Sequence, residues 1–129
     1  MALSSVLNSN QRKLIAADLA RLQSKTDLLI EDVIEDCDAW FPTGFLYAIN
    51  KRKSGTTPRY FWRIKSTSHG SRKFLRLDSD ELSEYIKEFD DDFRVFIKGV
   101  EIKLIIINAN LKYIYSTTEL LSETDMRST

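Results

Sequence analysis

The sequence predicts an α+β fold: an N-terminal amphipathic helix, a three-stranded antiparallel meander and a long C-terminal helix packed antiparallel on the first. Three observations carry this. Apolar residues recur at helical spacing near both ends. Between them the period shortens to two, among aromatic and β-branched residues. The charge also changes sign with the period. No acidic residue lies between Asp38 and Asp78, and that interval holds nine Lys/Arg. The rest of the chain holds ten Lys/Arg against nineteen Asp/Glu.

A chain of 129 residues is read as one domain, 1–129. The first helix is expected over 11–37. Ile15, Leu19, Leu22, Thr26, Leu29 and Val33 are spaced 4, 3, 4, 3, 4, which aligns them on one stripe. Ser9 or Asn10 is the expected cap, and Pro42 with Gly44 ends helical structure.

The meander is expected over 45–77, with strands at Phe45–Asn50, Tyr60–Ser66 and Lys73–Leu77. Tyr60, Trp62 and Ile64 alternate with Phe61, Arg63 and Lys65, as on a half-buried strand. Lys51–Pro58 and Thr67–Arg72, with their Gly, Ser, Thr and Pro, read as connectors.

From 79 to 121 one long helix is expected, capped by Asp78 or Ser79. Leu82, Ile86, Phe89, Phe93, Phe96 and Val100 keep the 4, 3, 4, 3, 4 spacing, and Ile107, Leu111 and Ile114 continue it. A kink is allowed at Gly99, and the β-branched run through 102–115 leaves a strand pair as the alternative. Residues 123–129 read as a frayed tail. The apolar surface of this helix exceeds what one helix and a small sheet easily cover. Phe89, Phe93, Phe96, Val100, Ile107 and Leu111 are therefore the expected face for a homodimer or a protein partner.

Catalytic constellations are not evident. His69 sits in Thr67-Ser-His-Gly-Ser71 with Ser68 and Ser71 beside it, but no acidic residue lies within thirty positions on its N-terminal side, so it reads as a turn residue. Cys37, the single cysteine, lies among Glu35, Asp36 and Asp38, which oppose thiolate formation, so it reads as a packing residue. The acidic clusters Glu31–Asp38 and Asp90–Asp92 match no calcium loop. No metal, cofactor or enzymatic activity is expected. The apolar stretch Val100–Tyr115 is interrupted by Glu101, Lys103 and Lys112, so no membrane span is expected, and the lone cysteine suits a cytoplasmic protein.

The basic meander is the strongest lead. Its cations are either neutralised by the protein's own acidic helices or serve an external polyanion. The second option predicts nucleic acid, DNA first, bound by Lys51, Arg52, Lys53, Arg59, Arg63, Lys65, Arg72, Lys73 and Arg76. Lys51–Lys53 and Arg72, on turns, would contact phosphates, while Arg63, Lys65 and Arg76 would face base edges. Tyr60, Phe61 and Trp62 are the stacking candidates.

The run Arg59-Tyr-Phe-Trp-Arg-Ile-Lys65, a turn, Ser71-Arg-Lys-Phe-Leu-Arg-Leu77 and then a long helix resembles a hairpin-plus-helix module of mobile-element proteins. Glu101-Ile-Lys-Leu-Ile-Ile-Ile-Asn108, followed by Tyr113 or Tyr115, adds to it. Over residues 45–115 the chain resembles the MobI type of auxiliary mobilisation protein. That resemblance implies a non-enzymatic accessory factor acting with a relaxase at an origin of transfer.

Overall fold

A computed structural model describes residues 7–65 and 74–128. Helix α1 spans Ser9–Trp40 and opens on Asn8, one residue before the expected caps. Asn8 and Gln11 form a capping box. Gln11 N–H donates to Asn8 Oδ1 and Asn8 N–H donates to Gln11 Oε1, each at 2.8 Å. Two donors that the first turn leaves without partners are satisfied together. The helix ends three residues beyond the expected boundary. Phe41 is extended there, as the residue before Pro42 must be to avoid the proline ring.

Strands β1 (Tyr47–Ser54), β2 (Thr57–Ile64) and β3 (Phe74–Leu75) form one antiparallel sheet in sequence order, as expected of a meander. The first connector differs from expectation. Lys51–Ser54 belong to β1, and only Gly55 and Thr56 remain between the paired Ser54 and Thr57. Gly55 has φ +66°, the conformation that a two-residue turn needs at its first position to match strand twist. Lys51, Arg52 and Lys53 are therefore strand residues and not turn residues.

The predicted helix over 79–121 is two helices. Helix α2 covers Asp80–Ile86, and α3 covers Asp91–Ser128. The break falls at residues 87–90 and not at Gly99, which lies inside α3. Asp90 causes it: its Oδ1 accepts from Phe93 N–H at 2.8 Å, so it caps a new helix. Asp91 and Asp92 then occupy the first turn, where the helix dipole favours anions. This acidic run, weighed from sequence as a metal candidate, is a helix start. Residues 102–115 are helical, and the backbone expected to fray after 122 remains helical to Ser128.

The two long helices run antiparallel. Trp40 stacks on Phe96 at 5.0 Å, and Asn110 Nδ2 donates to Thr26 Oγ1 at 3.3 Å. Moving from Trp40 back to Thr26 thus matches moving forward from Phe96 to Asn110. The sheet lies across this helical hairpin. Trp62, Leu75, Tyr47 and Phe45 pack with Val33, Leu82, Ile97, Leu104 and Ile107 in one core. Hydrophobic burial of this layer dominates the stability of the fold.

A cationic sheet face and the groove beside it

The pleat decides where each cation of the basic middle goes. Residues opposite one another in an antiparallel pair share a face. Tyr47, Ile49, Lys51 and Lys53 therefore lie on the face of Ile64, Trp62, Tyr60 and Pro58, which turns toward the helices. Arg52, Arg59, Phe61 and Arg63 lie on the outer face, joined by Phe74 opposite Arg63. The consecutive Lys51-Arg52-Lys53 cluster is thus split between two faces.

On the outer face cations and rings are interleaved. The Arg52 guanidinium sits 4.4 Å from the Phe74 ring centre, and that of Arg59 sits 5.4 Å from the Phe61 ring centre. Both distances suit cation–π attraction. Among the described residues, Lys51, Arg52, Lys53, Arg59, Arg63, Lys65 and Arg76 form no ion pair within 4.0 Å. Arg21, Lys87, Arg94 and Lys98 do form such pairs.

A groove of about 840 Å³ adjoins this face, lined by Arg59, Phe61, Arg76, Asn108, Lys112 and Ser116 among others. No carboxylate is among its described lining residues. It forms because β3 covers only Trp62 and Arg63, leaving the rest of the β2 edge to α3. Asn108 closes that edge. Its Oδ1 accepts from Tyr60 N–H at 2.8 Å, and its Nδ2 donates to Tyr60 C=O at 3.1 Å. The amide thereby stands in for a neighbouring strand and blocks edge pairing. Pro58, of the same parity, offers no N–H to that edge.

Two turns before Asn108, Glu101 anchors the inner face. It is buried, and its Oε2 accepts from Trp62 Nε1 at 3.0 Å and from Asp78 N–H at 2.7 Å. Lys98 Nζ lies 3.7 Å from Oε1 and offsets the buried charge. Asp78 has φ +59°, so this bond also holds a strained turn between β3 and α2. Glu101 and Asn108, noted from sequence as parts of a pattern, dock the sheet on α3 together.

Two stacking candidates change role. Trp62 is 0% exposed and spends its only polar atom on Glu101, so it belongs to the core. Tyr60 is half-buried on the helix side, where burial, then Asp27 and Tyr115, raise its phenol pKa. Phe61 alone of the three is on the outer face, and Phe74, not singled out from sequence, is the second ring there. Lys112 was also missed. It is one turn beyond Asn108 on α3, and no local pattern announces that α3 borders the sheet.

The expected association face is the interior of the monomer. Phe93, Val100, Ile107 and Leu111 are buried and Phe89 and Phe96 are partly buried, because α1 and the sheet cover them. A different stripe of α3 is uncovered. Val95, Ile102, Ile106, Tyr113 and Leu120 are spaced 7, 4, 7, 7 and are 47–72% exposed.

Cys37 is buried, and its thiol is pushed up to about 12, first by burial and then by Asp38 and Asp36. It packs as expected. Among the described residues no group of three His, Cys, Asp or Glu side chains could hold a metal ion. No described helix is long and apolar enough to cross a membrane. Ser68, His69, Ser71, Arg72 and Lys73 lie outside the described residues.

Fold and site together define an α+β protein in which a helical hairpin presents a cationic, aromatic sheet face. Set against known proteins, the chain matches no family model, no curated protein and no solved structure.

Proposed function

We propose that this protein binds nucleic acid, DNA in the first instance, on the outer sheet face and the adjoining groove, as a cytoplasmic, non-catalytic accessory factor. The observation that carries the reading is the unpaired state of Arg52, Arg59, Arg63 and Arg76 beside a groove without a described carboxylate. A sheet neutralised by its own helices would place carboxylates against these side chains. A surface for a polyanion leaves them free to exchange counterions for phosphates. The resemblance to auxiliary mobilisation proteins would add a setting beside a relaxase.

The test is salt-titrated binding. A face engaging about four to five phosphates gives a log–log slope of roughly −4 on duplex DNA and about −3 on a single strand. Changing Arg59 and Arg63 together to Glu should remove most of the affinity and leave the melting temperature nearly unchanged, since exposed charges contribute little. Absence of binding at low salt would overturn the reading.

The exposed stripe of α3 favours a second reading, an adaptor that pairs α3 with a second copy of the chain. From Val95 to Leu120 the stripe runs about 38 Å along the helix. Five large apolar side chains left in water along one side of a helix are a surface that pairing would cover. Light scattering distinguishes the cases. A dimer that Ile106→Glu dissociates without loss of helicity supports pairing on this stripe, and a monomer at high concentration removes it.

A further inference from the structure

We infer that the outer face takes a single strand in preference to a duplex, with bases on Phe61 and Phe74 and phosphates along Arg59, Arg76 and Lys112. This rests on the nucleic-acid reading and specifies the form of the ligand.

The way the hairpin is held argues against duplex. A two-stranded ribbon can enter a major groove about 12 Å wide only if it projects from the protein. Here one face of the ribbon packs on the helices through Tyr47 and Trp62. Its β2 edge is bonded to Asn108, and Thr56 at its tip lies with Ile114, Thr118 and Glu119 of α3 around a shared cavity. Sheet and helix layers stacked about 10 Å apart are too thick for that groove. Of the two faces of the ribbon, the outer one is left uncovered among the described residues.

The chemistry of that face suits exposed bases. Phe61 and Phe74 are half-buried rings whose faces already hold planar guanidiniums. A base is another planar group, and can take the ring face while the arginine moves to a phosphate. In a duplex the base faces are occupied by their neighbours, leaving the rings nothing to stack on. The groove, at about 840 Å³, exceeds the needs of one phosphate and brings three cations together. Ser116 and Asn108 add polar groups along it. A backbone threading this groove passes within reach of Phe61, which lines it as well.

The experiment compares three probes by fluorescence anisotropy: labelled oligothymidylate, a duplex of equal length, and inorganic polyphosphate of similar charge as competitor. The single strand should bind at least about tenfold more tightly than the duplex. Phe61→Leu and Phe74→Leu should each weaken single-strand binding about tenfold, as expected for the loss of one stacked base. Phe61→Tyr should restore it, and competition by polyphosphate should not change. Thermal melting shows whether each variant is folded, and the comparison of single strand with duplex on the unaltered protein carries the test if a leucine variant is not. Duplex binding equal to or tighter than single-strand binding overturns the inference and leaves the nucleic-acid reading standing. Polyphosphate competing as well as the single strand, with no effect of the ring changes, also overturns it. No binding to any probe overturns both.

Discussion

Alternate residues of β2 meet opposite environments. Trp62 is fully buried and bonded to a buried carboxylate, whereas Arg63, next in the chain, is exposed without an ion pair. The helix-facing side of the sheet is a structural surface, and its cations, Lys51 and Lys53, sit at its solvent-reaching end. The outer side bears no comparable packing and gathers the arginines and two rings. One run of positive sequence thus becomes two surfaces with different tasks. A charge cluster read along the chain overstates what any single ligand can touch.

This contrast predicts how unequally the two sides respond to substitution. Trp62→Ala should be the most damaging change, at about 3–5 kcal/mol of unfolding free energy in a denaturant titration, because it empties the centre of the core. Glu101→Ala should follow at roughly 2–4 kcal/mol, since it leaves the buried Trp62 Nε1 without an acceptor and removes the one that Asp78 N–H uses. Glu101→Gln keeps an acceptor and should cost less. Asn108→Ala should cost about 1–3 kcal/mol. Hydrogen exchange should then accelerate at the Tyr60 amide before other β2 amides, because only that edge loses its partner.

The Cys37 thiol sharpens the picture of the interior through pH. Its folded pKa is raised from 9.0 to about 12, so the folded state holds the proton more tightly than the unfolded state. The associated stability is fully present below pH 9 and is lost as pH rises toward 12. Melting temperature should decline over that window, and less so in Cys37→Ala after correction for its lower starting stability. Native protein should also resist alkylation near neutral pH. At the far end of the scale, Arg63→Ala should change stability by no more than about 0.5 kcal/mol. A large loss there would mean that the outer face is structural after all.

Much of the architecture was legible in the residues. Period and composition marked two helical regions around a meander, because amphipathic spacing reports directly on burial. The hairpin turn was misjudged because Ser, Gly and Thr suggested a longer loop, when a single glycine at positive φ suffices. The break before Asp91 was hidden by a stripe that continues through it from Leu82 to Phe93. Burial there is satisfied on both sides of the interruption, so periodicity alone cannot report it. The Asp90–Asp92 run carried the missing information, as a cap followed by an acidic first turn.

The site was legible in its charges and not in its geometry. The sequence by itself determined that positive charge concentrates in the meander and that Phe61 and Trp62 point opposite ways. The alternation of Tyr60, Trp62 and Ile64 with Arg63 and Lys65 favoured burying the first set, but alternation along one strand does not say which element covers that face. Docking on α3 decided that, because Glu101 can bond the Trp62 indole only if that face turns inward. The same docking brought Lys112 and Asn108 beside Arg59 across about fifty residues of chain. Contacts at that separation depend on how the helical hairpin and the sheet fill one core, and no local pattern encodes them.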